Sequence, residues 1–521
     1  MKKIVSSVLA GTLAVSAAGC SSAPQETGGT QGGTATAGPT KFSISITSGS
    51  NAYAESSPNI NEDKWVKKLE QLANVDMDIR LIPHKEFNQK MAVMFAGNDI
   101  PDAVQTVGGA TGKAMAGSVE AGLYMPLDDL LKEYAPTLLK NIPKEAWAET
   151  SYQGKIYGIP AWLSNPSRRA LFIRTDLLEK AGLQAPKTLD ELLNVMRAFK
   201  KLGVEHPYQM RENFKYADTF FGSFDAIGSQ FEVKDGQVVP KFFDSENMMK
   251  ALQTYKTMFD EGLIPKDFAT ISSGDYGKNI QAGKAGMWSA NAEGLTNYRT
   301  KIVESVPDVK IDIIPAPKGP EGYGGHLLYS PVTTSTFINK KVSKEKAIGI
   351  IKFLEWMQSD EAQNFFSFGN EGENYTKEGS KINFKQPKTK EEVDEDIFRS
   401  NTLWFIRDAG FNRVRSEMTK DGQDLMKAFD NVLGKEGLGS VMFTPDLTSF
   451  ATYPDLAPQG SDTPPKLIVD HMIKMIYGKE PISDWPKVVE EWKSKGGNDI
   501  VKEASERYAK KEGVNVLENR K

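Results

Sequence analysis

The residues able to do chemistry are few and widely spaced. His84, His206, His326 and His471 are the only imidazoles, and none falls in the H-E-x-x-H spacing that clamps zinc across a helical turn. No Gly-x-Ser-x-Gly elbow presents a serine nucleophile. The single cysteine, Cys20, lies far outside any catalytic context. Paired carboxylates occur at Asp128-Asp129, Glu391-Glu392 and Asp394-Glu395-Asp396. A glycosidase needs two carboxyls about 5–10 Å apart across its substrate, whereas these runs read as helix caps and solvated faces. The loop Gly108-Gly109-Ala110-Thr111-Gly112-Lys113 has the wrong spacing for a phosphate loop, and Ala114 stands where a magnesium-binding hydroxyl belongs. Either it is a tight turn or its backbone donors face a polar ligand. No catalytic residue, metal site or cofactor is expected.

The aromatics carry more. Trp162, Trp288 and Trp404 are each read as standing where an element gives way to a polar loop, while Trp65, Trp356, Trp485 and Trp492 fall within helical patterns. Sugar rings offer apolar C–H faces to aromatic planes and hydroxyls to fork-shaped polar groups. Candidate linings are Trp162 with Ser164 and Arg169, Trp288 with Ser289 and Asn291, and Trp404 with Arg407 and Asp408. Taken singly, each tryptophan suits core packing as well as ligand contact.

These residues need a scaffold, and the chain supplies an α/β one. Phe42–Ile46 alternates as a strand, Glu62–Asn74 reads as a helix, Asp76–Pro83 as a strand, Lys85–Ala96 as a helix and Asp102–Val107 as a third strand. That order predicts a parallel sheet, with ligands beyond its carboxyl edge. A second series starts at Ala170-Leu171-Phe172-Ile173. Thr188-Leu189-Asp190-Glu191 forms a capping box, and Asp235-Gly236 reads as a hairpin turn. Ser245–Gly262 and Ser343–Phe366 read as long helices. Leu163–Ser167 and Pro315–Pro320 are polar or Pro-rich and are predicted crossings between the two series.

The chain has 521 residues, 39% hydrophobic and 25% charged, which suits ordinary globular domains. Its 64 basic and 68 acidic residues leave a net charge of −4, and no basic run is interleaved with aromatics, so no nucleic-acid partner is expected. Lys2 and Lys3 precede the short apolar run Ile4–Val15 and the small residues Ala17-Ala18-Gly19, the pattern of an export signal over residues 1–19. Ala17-Ala18-Gly19-Cys20 resembles the bacterial lipobox, which implies cleavage before Cys20 and its acylation, palmitate included. Residues 20–40 are then a lipidated cysteine and a flexible Gly/Thr/Ser tether with a reach of about 25 Å. The expected location is the extracellular face of the cell membrane, by lipid anchor.

Several ordered stretches resemble the family 1 extracellular solute-binding proteins, carbohydrate-type receptors of ABC importers, and in particular their large lipoprotein subgroup. They are Gly97–Asp102, Gly154–Pro160, Leu171–Leu178, Gly283–Trp288, Ser367–Thr376 and Trp492–Gly497. The chain is also similar to the alginate-oligosaccharide receptors, although Lys201–Tyr208 has a single carboxylate where those carry a calcium loop. The resemblance implies an α/β, two-lobed periplasmic-binding-protein-like fold with a hinge and an interlobe cleft. Residues 41–163 plus 322–379 would form the first lobe, and 167–321 plus 380–521 the second. Ligand would meet Gly108, Trp162, Trp288 and the loop holding Glu371, Asn374 and Tyr375, with Arg169, Asn291, Trp404 and Arg407 supplying further contacts. The implied activity is non-catalytic: a monomer that captures an oligosaccharide and delivers it to a permease. A receptor for a peptide or other polar solute, or an extracellular glycan-degrading enzyme, are the alternatives.

Overall fold

A computed structural model describes residues 38–110, 112–115, 117–408 and 412–520. Cys20 and nearly all of the expected tether lie outside these. In chain order the principal strands are β1 (Thr40–Thr47), β2 (Val75–Ile82), β3 (Ala103–Val107), β4 (Gly158–Trp162), β5 (Arg169–Arg174), β6 (His206–Gln209), β7 (Ala285–Asn291), β8 (Ile311–Ile314), β9 (Val332–Ile338), β10 (Val441–Phe443) and β11 (Val514–Val516).

Two sheets organise the molecule. The first has the order β2-β1-β3-β9-β4, and the second β8-β5-β7-β6. In the first, β1 runs parallel to β2 and β3, while β9 is antiparallel to β3 and β4. Thr47, Ile82, Val107 and Trp162 therefore end at one edge, where β9 begins at Val332. In the second, β5 is antiparallel to β7 and β8, and β7 is parallel to β6. Gln209, Asn291 and Ile314 end at one edge, where β5 begins at Arg169. The chain leaves the first edge at Trp162, reaches the second at Arg169, and returns between Ile314 and Val332. Both crossings expected from the Pro-bearing segments thus join the two ligand-type edges.

The side-chain alternation explains why these sheets form. Along β5, Leu171 and Ile173 enter one core and Ala170 and Phe172 another, so the strand is buried on both faces and reads as a continuous apolar run. Thr188 caps its helix as a capping box with Glu191. Asp235 and Gly236 both take positive φ, 52° and 78°, as a type I′ hairpin turn requires. The helix read over Ser343–Phe366 is two, Lys344–Trp356 and Asp360–Phe368, because the Ser359 side chain accepts from Ala362 N and starts a new one.

One segment packs differently from expectation. Phe398, Leu403, Phe405 and Ile406, within the stretch assigned by sequence to the second lobe, are buried in the core of the first sheet beside Ile44 and Phe366. A third crossing follows, because the helix Lys420–Asn431 buries Leu425, Met426 and Phe429 against Phe172 and Trp288 of the second sheet. Among the described residues no helix is long and apolar enough to cross a membrane.

Candidate functional site

Arg169 is the first residue of β5 and pairs in register with Asn291, the last of β7. The antiparallel ladder therefore puts both sequence-predicted residues at the same edge. The guanidinium is 1% exposed and makes four contacts. Nη2 donates to the Tyr329 hydroxyl (2.7 Å) and to Asp462 Oδ2 (3.1 Å), and Nη1 lies 3.4 Å from Asp218 Oδ1. Its Cζ stands 4.0 Å from the Tyr216 ring centroid, a cation–π distance. Tyr329 passes the bond on, donating from its hydroxyl to Asn291 Oδ1 (2.8 Å). Arg169 Nε is buried without a partner among the described residues.

The charges are mutually enforced. Burial is the largest influence on Asp218 and works to raise its pKa, but Arg169, His326 and the Leu327 amide overcome it and hold the carboxylate well below its usual range. Burial likewise works against the Arg169 cation, and Asp218, Tyr329 and Asp462 reverse that, so its pKa is raised. His326 Nδ1 lies 3.4 Å from Asp218 Oδ2, and Leu327 N donates to the same oxygen (3.1 Å). The second crossing is pinned to the second lobe through this carboxylate.

Tyr216 sits in a strained turn. Asn213, Phe214 and Tyr216 have φ of 57°, 54° and 64°, a conformation that costs a non-glycine residue about 1–3 kcal/mol. Three such residues in four hold the half-buried Tyr216 ring over Arg169, with Arg211 Cζ 5.6 Å from its centroid.

At the other edge, Gly108 takes φ 81°, as suits the glycine found there. Gly108 N donates to Thr333 O and Ala110 N to Glu149 O, so these loop donors serve the fold rather than face an open site. Trp162 N donates to Arg407 O (3.0 Å), and Asp408 accepts from Ser164 N (3.1 Å). Burial pushes the Arg407 guanidinium down to about 10; Asp408 opposes the shift and Arg168 adds to it. Arg168 itself is paired, Nε to Glu293 Oε1 at 2.5 Å. The buried Glu149 carboxylate joins three segments, accepting from Ser330 Oγ (2.7 Å) and Asn515 Nδ2 (3.2 Å), and burial raises its pKa.

Trp162 and Trp288 are buried core residues, and the half-buried Trp404 packs against the first core. Trp288 is 0% exposed and stacks on Phe172 with centroids 5.6 Å apart at 7°. Strand β7 runs on to Asn291, so Trp288 lies three residues inside the strand end that sequence placed at it. Trp404 stacks on Phe366 (4.9 Å, 9°) and its Nε1 donates to Met357 O. Trp162 is 6% exposed and joins the first core. The Glu371–Tyr375 loop forms its own unit: Asn370 N donates to Asn374 Oδ1 and Gly372 N to Tyr375 O, while Tyr375 packs on Phe368. Arg169 and Asn291 are thus brought together, Trp162 meets Arg407 through backbone, and the Glu371, Asn374 and Tyr375 group is separate from the Arg169 network. Sequence reasoning missed Tyr216, Asp218, Tyr329 and Asp462. Among the described residues no group of three or more His, Cys, Asp or Glu is arranged to hold a metal ion.

Two α/β lobes joined by crossings between their ligand-type edges define a two-lobed solute-binding fold. Residues 58–364 match the family model described as bacterial extracellular solute-binding protein, and the chain belongs to that family. It is 26% identical over 483 residues to "Lipoprotein LipO" of Bacillus subtilis (strain 168), covering 87% of this chain and 90% of that protein. It is 25% identical over 471 residues to "Polygalacturonan/rhamnogalacturonan-binding protein YtcQ" of the same organism, covering 86% and 88%. Among solved structures, an HMO-binding ABC-transporter-associated solute-binding protein from Bifidobacterium longum infantis superposes with a TM-score of 0.66 at 18% identity, covering 91% of this chain and 99% of that one. The Streptococcus pneumoniae substrate-binding protein FusA in complex with kestose superposes at 0.60 with 17% identity, covering 90% and 99%.

Proposed function

We propose that the protein is a non-catalytic receptor that captures an oligosaccharide between its lobes and delivers it to the permease of an ABC importer. Acyl chains on Cys20 hold it at the outer face of the cell membrane, and it acts as a monomer. The first lobe takes residues 41–163 and 322–379 with the 380–408 segment packed onto it; the second takes 167–321 and the rest of the C-terminal part.

The observation that carries the sugar reading is Arg169. Its buried guanidinium is held against the half-buried Tyr216 ring and linked through Tyr329 to Asn291, which leaves an aromatic ring and an amide at one strand edge as groups that a sugar can meet. The polygalacturonan named for YtcQ makes an acidic sugar the first series to test. The burial of Trp162 and Trp288 removes two aromatic platforms and favours the second reading, a receptor for a peptide or other polar solute.

A thermal-shift screen with plant and microbial oligosaccharides and with peptides separates these readings. A ligand at 100 times its Kd adds about 2.7 kcal/mol to stability. A shift with the oligosaccharide recovered intact is expected. A shift from peptides alone, or recovery of cleaved sugar, overturns the proposal.

A further inference from the structure

A groove of about 820 Å³ adjoins the Arg169 network, within the size range of small-ligand sites. Its aromatic wall is Phe231, Phe443 and Phe450, with Phe231 and Phe443 edge-on (5.5 Å, 85°) and Phe450 at 6.0 Å from Phe231. Two chain segments are shared between groove and network. Tyr329 bonds Arg169 while the next residue, Ser330, lines the groove; Asp462 bonds Arg169 while Ser461 lines the groove. The groove and the network are therefore built on neighbouring residues of the same two segments.

Gln230 points to a ligand independently. It is 3% exposed and lines the groove; Nε2 donates to Leu438 O (2.8 Å), but the buried Oε1 has no partner among the described residues. An unpaired buried acceptor has lost its water without gaining a bond, a cost that a hydroxyl donor would remove. Among the described residues of the lining, Asp446 alone is charged. Apolar faces, a hydroxyl acceptor and almost no charge match uncharged pyranose or furanose units. Most of the lining falls at 440–461, beyond the residues 58–364 that carry the family match.

We infer that this groove is a second carbohydrate subsite, holding the distal, uncharged units of an oligosaccharide whose first units lie at Arg169. The inference rests on the oligosaccharide reading above. It gives the receptor a preference for chain length that the Arg169 network alone does not.

The test is calorimetry on the full-length protein with two-unit and six-unit members of methyl-esterified galacturonan, galactan, arabinoxylan, fructan and mannan series. For the series that binds, the six-unit member is expected to bind at least about tenfold tighter than the two-unit one, about 1.4 kcal/mol. Phe443→Ala, which removes an aromatic face, and Ser461→Trp, which fills the groove from an exposed position, should each erase that advantage and leave two-unit affinity unchanged. Equal affinity for both lengths in the wild type, an advantage that survives both variants, or equal losses at both lengths would overturn the subsite and leave the receptor reading standing. Binding of none of the series overturns the receptor reading and the subsite with it.

Discussion

Replacing Asp218 by Asn tests the electrostatic core of the candidate site. Asp218 is 4% exposed and Arg169 1%, so neither charge can be rescued by water when its partner is lost. Removing one member of a buried ion pair costs about 3–5 kcal/mol. Asp462 and the Tyr329 hydroxyl still hold Nη2, and the amide oxygen of the Asp218→Asn variant can still accept from Leu327 N, which places the expected loss at about 3 kcal/mol. For a lobe of about 150–250 residues this is a fall of about 6–12 °C in melting temperature. Arg169→Met should cost a similar amount, by leaving the Asp218 charge buried. The double variant should cost less than the sum of the two, because neither charge of the Arg169–Asp218 pair is then left buried alone. The cycle is read from guanidinium chloride melts followed by circular dichroism, and a coupling of about 1.5 kcal/mol or more is expected. The pH dependence has a definite sign. The folded-state pKa of Asp218 is lowered, so its contribution is fully present above the ordinary carboxylate range near pH 4 and is lost as pH falls below that. The gap between wild type and Asp218→Asn should hold from neutrality to about pH 4 and close in stronger acid. A loss under about 1 kcal/mol, or simple additivity in the double variant, refutes the claim that the two charges are mutually dependent.

Tyr216→Ala should weaken sugar binding at least about tenfold in calorimetry, while Tyr216→Phe keeps most of it. In chemical denaturation Tyr216→Gly should be about 1 kcal/mol more stable than Tyr216→Ala, because φ 64° suits glycine. Trp288→Ala should cost about 3–5 kcal/mol by opening a cavity against Phe172, measured by denaturant melts, with the folded fraction keeping its ligand affinity in calorimetry. The raised pKa of Glu149 means that the folded state holds this proton more tightly than the unfolded chain, so its stabilising effect is present in acid and declines as pH rises past the ordinary carboxylate value. Glu149→Gln can accept from Asn515 and donate to Ser330, and should flatten that decline in melts taken from about pH 4 to pH 7.

The scaffold was legible because its signals are local. The alternation of Phe42–Ile46, the Thr188 capping box, the Asp235-Gly236 turn and the Pro-bearing crossings each specify a backbone geometry within a few residues. The tryptophans were not, because exposure at a strand end turns on where the strand stops. Strand β7 continues for three residues past Trp288, since Ser289–Asn291 still pair with Leu171, Ala170 and Arg169 of β5, and a partner strand is not visible in the sequence of β7 itself. The same pairing made Arg169 and Asn291 recoverable: both end an element next to polar loops, and the ladder sets them side by side.

The residues that complete the site come from far along the chain. Arg169 contacts Asp218, Tyr329 and Asp462, which are 49, 160 and 293 positions away. Asp462 lies in the Gly460–Thr463 turn and Tyr329 just before β9; each local context reads as an ordinary turn or loop. What no local pattern carries is the need for neutralisation. A guanidinium placed at a buried strand edge by the β5 pairing must gather carboxylates and a hydroxyl from whatever segments pass it, and those segments are the start of the Asp218–Gly222 helix, the second crossing and the Pro458–Pro465 hairpin. The charge that sequence picked out as a candidate ligand contact therefore also fastens the second crossing to the second lobe.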